Sequence, residues 1–318
     1  MEFTGERYVS SVNGEIKYEH LHRYALSLEF VCGKSVLDLA SGEGYGSALL
    51  AKVASEVTGV DIDPESVEYA KQQYSDRHNL KFAVGACDSV PLPDESVEVV
   101  TSFETIEHHD KHEEMMREIK RVLKPGGLLI ISSPNRLTYS DEPNYSNPFH
   151  IKELYYDQLV SLLSRYFKYI QKYGQRLATG SFVFPLEDAY ETSIKAYTGS
   201  TSNLTQQFCS LKSPIYFVAM CSDEAERVRS AIDSLYIDSS DDLLQAFQTG
   251  TREIVERLQS QLQQTQAELQ QTQAELQQTQ AELQQTHATI IVMENSKFWK
   301  LRRAWVRMKR AVGVERDG

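Results

Sequence analysis

VLDLASGEGYGS, residues Val36 to Ser47, is the stretch on which the reading of this chain turns. Val36 to Leu39 form a short apolar-rich run that predicts a buried strand, with Asp38 near its end. Gly42, Gly44 and Gly46 then alternate through what reads as a tight turn, and a helical pattern follows through Ala48, Leu49, Leu50 and Ala51. Strand, glycine-rich turn and helix in succession bring bare backbone N–H groups close to a ligand, because glycine has no Cβ to hold it away. The spacing is G-x-G-x-G; the dinucleotide pattern G-x-G-x-x-G would need its third glycine at Ser47. A second predicted strand, Val57 to Asp61, ends in an acid about 20 residues after Gly42, which places Asp61 for the two hydroxyls of an adenosine ribose. The helix after it has Asp63 as N-cap, Pro64 at its first position, and Val67, Ala70 and Tyr74 along one face. The plain alternative is a βαβ unit whose glycines only turn the chain.

Working outward, Leu21, Tyr24, Ala25 and Leu28 fall at helical spacing and predict a helix over Glu19–Phe30. Strands predicted at 36–39, 57–61, 80–84, 97–103 and 128–133 alternate with helices. One of these, Glu113–Leu123, should bury Met116, Ile119 and Leu123 and stop at the LKPGG turn. Such alternation implies an α/β fold, a parallel sheet with helices on both faces.

The length of 318 residues suggests about two domains, and 41% hydrophobic residues suffice for one full α/β core even after the polar C-terminal third is set aside. Cys32, Cys87, Cys209 and Cys221 are scattered with no C-x-x-C pair, so neither a zinc site nor a disulfide framework is expected, and no metal is assigned. The N-terminal MEFTGERYVS lacks an apolar leader core, and no run of about 18 apolar residues exists. A cytoplasmic setting is therefore expected. The net charge of −12 hides an asymmetry: Lys297 to Arg310 holds seven bases and no acid, which leaves about −18 on the first 296 residues. An acidic body argues against nucleic acid as a partner. A basic tail suits an anionic membrane surface.

After Ser222 the chain changes character. A helix predicted over Asp223–Tyr236 leads to the polar stretch IDSSDD. The repeat LQQTQAE then starts at Leu262, Leu269 and Leu276, with an altered copy at Leu283. With a period of seven, Leu262, Leu269, Leu276, Leu283 and Ile290 take position a, and Thr265, Thr272, Thr279 and Thr286 take position d. Val255, Leu258 and Met293 extend the seam, which predicts a left-handed coiled coil and a homo-oligomer. The seam is weak: threonine buries little, and Glu268, Glu275 and Glu282 at g face glutamine at e. A single glutamine-rich helix acting as a spacer is the alternative. The tail KFWKLRRAWVRMKR places Phe298, Leu301, Trp305, Met308 and Val312 on one face and Lys300, Arg303, Arg307 and Arg310 off it. That pattern is expected of a helix lying in a membrane interface, or of one bound to a partner.

VLDLASGEGYGS, VTGVDID, LPDESVEVVTSFETIEH and LKPGGLLIISSPN occur in the order seen in class I S-adenosylmethionine-dependent methyltransferases, which the chain resembles over about residues 1–222. The segment TGERYVSSVNGEIKYEHLHRY is similar to the start of methyltransferases encoded with bacterial cell-surface polysaccharides, among them the methyltransferase part of O-antigen chain-terminating proteins. The resemblance implies a Rossmann-like sheet with two further strands near Tyr169–Tyr173 and Ile215–Met220, and an acceptor-binding insertion at about 180–212. Four segments follow: a methyltransferase domain over 1–222, a helix and linker over 223–250, a coiled coil over 251–294 and a basic amphipathic tail over 295–318. It also implies S-adenosyl-L-methionine as cofactor, held by Tyr8, Arg23 (on the methionine carboxylate), Asp38, Ala40, Gly42, Gly44, Gly46, Asp61, Ile62, Cys87, Asp88, Phe103 and Glu104. Two departures stand out. Ala40 replaces a frequent glycine, with little harm expected from so small a side chain. Ala86 replaces a frequent acid after Gly85, so Asp88, or a backbone N–H near Cys87, is expected to take over that adenine contact.

Methyl transfer from a sulfonium is an in-line displacement that needs donor and acceptor about 3–3.5 Å apart. A sugar hydroxyl acceptor must also lose a proton, whereas a phosphate or carboxylate is already ionised. His108, just after the strand 97–103, is the candidate general base because its pKa lies near working pH, and Glu107 is placed to orient it. His150 is a second candidate at the same rim, or a cap for the helix that follows. His108 and His112, four apart, invite a metal reading that lacks a third ligand at a motif spacing; a polar helix start is the plainer account of His109 and His112.

Three functions are open at this point. The first is O-methylation of a sugar of a surface polysaccharide or its lipid-linked precursor at the membrane's cytoplasmic face; with no stretch expected to form a kinase domain, direct sugar methylation is favoured over methylation of an added phosphate. The second is methylation of a small quinone-like molecule. The third is a non-catalytic scaffold that recruits glycosyltransferases, against which the intact Asp38, Gly42, Gly44 and Asp61 argue.

Overall fold

The computed structural model describes residues 15–178, 196–200, 203–207, 211, 213–228, 234–236, 238 and 242–311. Tyr8, Cys209 and Val312 lie outside these residues. The chain divides into two units, 1–243 and 244–318.

In the first unit, α1 (Glu15–Val31) precedes β1 (Ser35–Leu39), α2 (Tyr45–Leu50), β2 (Glu56–Asp61), α3 (Pro64–Gln73), β3 (Leu80–Val84) and β4 (Val97–Ser102). There follow α4 (His112–Val122), β5 (Leu123–Pro134), α5 (Tyr156–Ser164), β6 (Tyr169–Gln175), the hairpin β7 (Ala196–Ser200) and β8 (Asn203–Gln207), and β9 (Tyr216–Ser222). Seven strands form one sheet in the order β3-β2-β1-β4-β5-β9-β6. β1 to β5 pair in parallel, and β9 inserts antiparallel between β5 and β6. This reversed strand next to the edge distinguishes the class I methyltransferase sheet from the all-parallel dinucleotide-binding one, and the strand order itself carries the fold.

The apolar runs build the sheet because both of its faces are covered. Side chains alternate between two cores. Leu37, Leu39, Val100, Leu129 and Ile131 pack with Met115, Met116 and Ile119 of α4 and Leu159 and Leu163 of α5. Val36, Val57, Val99, Leu128 and Ile130 pack with Tyr24 and Val31 of α1, Leu50 of α2 and Val67 and Ala70 of α3. The Asp63 side chain accepts the Glu65 N–H at 3.1 Å and Pro64 opens α3, as expected.

Three predicted boundaries change. α4 ends at Val122, and Leu123 is already extended and pairs with Val97, so the LKPGG segment belongs to the start of β5 rather than to a turn; a register shift between Val97 and Val99 and a left-handed Gly126 (φ 71°) accommodate it. The helix expected over Asp223–Tyr236 is absent among the described residues there, where only a 3-10 turn at Ala225–Arg227 forms. Asp223 instead binds Lys120 Nζ (2.7 Å) and accepts the Lys168 N–H (3.1 Å), fixing the chain at the end of β9. The glycine turn also works differently from its sequence reading. Gly42 (φ 53°) and Gly44 (φ 80°) are left-handed, whereas Gly46 lies within α2, where a Cβ would overlap the Tyr24 ring.

In the second unit, α6 (Asp242–Asn295) is one helix of 54 residues, and α7 (Lys297–Ala311) follows it. Ser296 separates them: its Oγ accepts the Trp299 N–H at 3.3 Å and caps α7. The repeat leucines Leu262, Leu269, Leu276 and Leu283 are exposed on the single chain. Thr265, Thr272, Thr279 and Thr286 each donate their hydroxyl to the carbonyl four residues earlier, at 2.8–3.0 Å. Phe298, Leu301, Trp305 and Met308 of α7 are also exposed, and Lys309 Nζ lies 4.1 Å from the centre of the Trp305 ring. No helix among the described residues is long and apolar enough to cross a membrane.

Candidate active site

In open α/β sheets ligands bind at the carboxyl ends of the strands, and the predicted residues collect there. At the end of β1, Asp38 is buried and accepts hydrogen bonds from Ser47 Oγ (2.6 Å), Thr101 Oγ1 (2.8 Å) and Tyr24 OH (3.3 Å). Burial pushes its carboxyl up to about 6 against these hydroxyls, which pull the other way. Asp38 thus ties β1 to α1, α2 and β4. Ala40, next to the turn, is itself left-handed (φ 64°), so its departure from glycine costs backbone strain rather than space. Asp61, at the end of β2, accepts the Gly42 N–H (2.7 Å) and the Asp63 N–H (3.0 Å) and so holds the turn from its other side. Ile62 beside it is 72% exposed. After β3, Asp88 pairs with Lys111 Nζ at 2.6 Å, and the hydrogen bond from Lys111 holds its carboxyl below the usual range. Cys87 is half-buried, and burial pushes its thiol up to about 11.

Arg23, on α1, is a buried residue. It is 2% exposed, its guanidinium stacks 4.5 Å from the centre of the Tyr216 ring, and its Nε donates to Gln175 Oε1 at 2.7 Å. NH1 lies 3.4 Å from Glu104 Oε1, an ion pair without hydrogen-bond geometry, and neither NH1 nor NH2 has a hydrogen-bond partner. Tyr216 and Gln175 lie over 150 residues from Arg23, and no sequence signal links them to it. Phe103 packs edge-on against Tyr24 at 5.1 Å. Glu104 is left-handed (φ 49°), and it is pinned by Ser132, whose Oγ accepts the Glu104 N–H (3.0 Å) and donates to its Oε1 (2.5 Å).

The 3-10 turn Ile106–His108 follows directly. His108 Nδ1 donates to the Phe149 carbonyl at 3.0 Å, a tautomer assigned from that partner, which puts the ring's basic lone pair on Nε2. Glu107 Oε1 stands 3.9 Å from that Nε2, and Oε2 is buried without a hydrogen-bond partner. Burial, with Glu104 nearby, raises the Glu107 carboxyl well above its usual range. His150 packs edge-on to His108 at 5.2 Å and stacks on Tyr139. It does not cap α5, which begins at Tyr156 and has the Tyr155 N–H bonded to Gln158 Oε1 (3.1 Å). Its Nδ1 binds Glu153 Oε1 (2.6 Å) and its Nε2 accepts from Asn147 Nδ2 (3.0 Å). His112 does not join His108: its Nε2 sits between the carbonyls of Ile106 (2.9 Å) and His109 (2.8 Å). His150, forty-two positions from His108, takes the place that the four-residue spacing suggested for His112.

Residues 37–131 match a family described as "Methyltransferase domain". A "Probable S-adenosylmethionine-dependent methyltransferase" of Mycolicibacterium smegmatis is 37% identical over 168 residues, 51% of this chain and 63% of its own. Its counterpart in Mycobacterium tuberculosis is 38% identical over 51% of this chain and 60% of its own. The chain thus spans about three-fifths of the length of these curated relatives. Among solved structures, the YcgJ protein of a Bacillus is similar with a TM-score of 0.44 and 24% identity over 49% of this chain and 73% of that one. A SAM-dependent methyltransferase of Thermotoga maritima gives 0.46 and 17% over 65% and 91%.

S-adenosyl-L-methionine is the cofactor that goes with this domain, and the residues present fit it. Two buried guanidinium nitrogens without hydrogen-bond partners suit its carboxylate, and an acid at the end of β2 beside a glycine turn suits its ribose.

Proposed function

We propose that the chain is an S-adenosyl-L-methionine-dependent O-methyltransferase whose acceptor is a sugar hydroxyl of a bacterial surface polysaccharide or its lipid-linked precursor. The observation that carries the O-methyl reading is the place of His108 just after β4, its imidazole oriented through Nδ1 by the Phe149 carbonyl. Such a base is needed for a hydroxyl and redundant for an ionised acceptor. When bound, S-adenosyl-L-methionine supplies an electrophilic methyl group. Arg23 holds the donor's carboxylate, Asp61 its ribose, and the backbone of Gly42 to Gly46 lies against it. His108 takes the acceptor proton, with Glu107 and His150 keeping the imidazole in place. The basic face of α7 supports a membrane-bound acceptor, since each base near an anionic surface contributes about 1 kcal/mol. The exposed leucines of α6 support self-association.

The deciding experiment is transfer of a radiolabelled methyl group to membrane lipid-linked glycans against soluble metabolites. Label in the glycan fraction is expected. Label confined to hydroquinones would favour a second reading, which has its own support: a Chlorobaculum parvum "Demethylmenaquinone methyltransferase" is 35% identical over 100 residues. Full-length protein is expected to be oligomeric and to sediment with anionic vesicles in a salt-sensitive way, while Trp305→Glu releases it without changing its oligomeric state. A monomeric chain, or binding indifferent to both salt and Trp305, would refute the roles of α6 and α7 respectively.

A further inference from the structure

The three side chains at the acceptor end have donor atoms that all lie within 4.8 Å of one another, although Glu107 and His108 come from the turn after β4 and His150 from the loop before α5. Both imidazoles are anchored through Nδ1, His108 on the Phe149 carbonyl and His150 on the Glu153 carboxylate. Outer anchors of this kind fix the tautomer and direct the Nε2 lone pair at a metal ion. Glu107 is 1% exposed, and its Oε2 accepts nothing. A buried carboxyl oxygen without a hydrogen-bond partner is unfavourable. The 3.9 Å between Glu107 Oε1 and His108 Nε2 is too long for a hydrogen bond and falls within the span of two ligands on one ion at about 2.0–2.2 Å each.

We propose that Glu107, His108 and His150 form a binding site for a divalent first-row transition-metal ion, two imidazoles and one carboxylate with open positions for oxygen ligands. Binding displaces the hydrogen bond from Asn147 Nδ2 to His150 Nε2. For the ion's use, the inference rests on the methyltransferase reading. Without the ion the acceptor proton goes to His108; with the ion bound, a hydroxyl at an open position is acidified by the ion and its proton leaves to solvent. The alkoxide oxygen then forms the bond to the methyl carbon as the carbon–sulfur bond breaks. Binding itself does not depend on that reading.

The test is a titration of the chelator-stripped full chain with Co2+, followed by visible absorption and calorimetry, with S-adenosyl-L-methionine affinity measured on the same samples. One equivalent of Co2+ per chain, displaced by Zn2+, is expected. Glu107→Gln and His150→Ala should each weaken Co2+ binding by at least about ten-fold, with cofactor affinity within about two-fold of the parent. Should either of these buried variants fail to fold, His108→Ala, with its partly exposed side chain, gives the same readout. No stoichiometric Co2+ binding, or binding unchanged in folded variants, overturns the site. Stoichiometric, ligand-dependent Co2+ binding in a chain that does not bind the cofactor would keep the metal site and refute the methyltransferase reading instead.

Discussion

At the ends of β1 and β2, the carboxylates of Asp38 and Asp61 accept hydrogen bonds from the chain itself, from Ser47, Thr101 and Tyr24 in one case and from Gly42 and Asp63 in the other. Around the end of β4, Arg23 NH1 and NH2 and Glu107 Oε2 are just as buried and have no hydrogen-bond partner. The first region is finished by the fold alone, so its geometry is set before any ligand arrives. The second is left incomplete. Since buried polar groups are nearly always paired in native proteins, those unpaired atoms are the ones to which the proposed cofactor and metal ion would bring partners.

The contrast is broken most decisively by His108→Ala. Turnover should fall by about 10²–10⁴ in a methyl-transfer assay, while calorimetric cofactor affinity stays near that of the parent. A loss of cofactor affinity of similar size would mean that the two regions are not separate. The next effect belongs to Asp38. Its folded value of about 6 lies above the ordinary 3.8 because of burial, so the folded chain holds that proton more tightly than the unfolded one. Its contribution to stability is therefore full below about pH 4 and lost as pH rises through about 6, a change of roughly 3 kcal/mol. Asp38→Asn should remove this, so urea melts between pH 4 and 7 should show the variant gaining on the parent as pH rises. A pH-independent difference would rule out this account of Asp38. Asp61→Ala should weaken cofactor binding by about 1–3 kcal/mol, through the lost ribose contact and the freed Gly42 N–H. Unchanged calorimetric affinity would remove Asp61 from the cofactor set. The smallest change is Ala40→Gly. Release of a left-handed alanine is worth roughly 1–2 kcal/mol and the added chain entropy of glycine costs about 0.5–1, so a net gain below about 1 kcal/mol is expected in thermal melts.

The finished region was legible in the sequence and the incomplete one was only partly so, for a physical reason. Val36 to Asp61 folds through local rules: apolar runs for strands covered on both faces, glycines where φ is positive, Asp63 and Pro64 at a helix start. His108 and Glu107 could be placed because they follow a recognisable strand. That His150 meets His108 depends on the loop before α5, and that Gln175 and Tyr216 hold Arg23 depends on β6 and β9 joining the sheet beyond β5, contacts that leave no periodic trace. Helix ends failed for a similar reason. At the start of the predicted Asp223–Tyr236 helix, Lys120 and the Lys168 N–H hold Asp223 at the end of β9, and only a 3-10 turn forms among the described residues that follow.

The threonines of α6 point to a last consequence. By returning their hydroxyls to their own helix, Thr265, Thr272, Thr279 and Thr286 leave no side-chain donor unsatisfied along the leucine stripe. Its copies are also interchangeable. Insertion or loss of one LQQTQAE unit changes the helix length by about 10 Å yet rotates everything beyond it by only about 20°. The repeat is thus a ruler with evenly cut marks: unequal recombination within it can lengthen or shorten the rod while every other surface keeps nearly the same bearing.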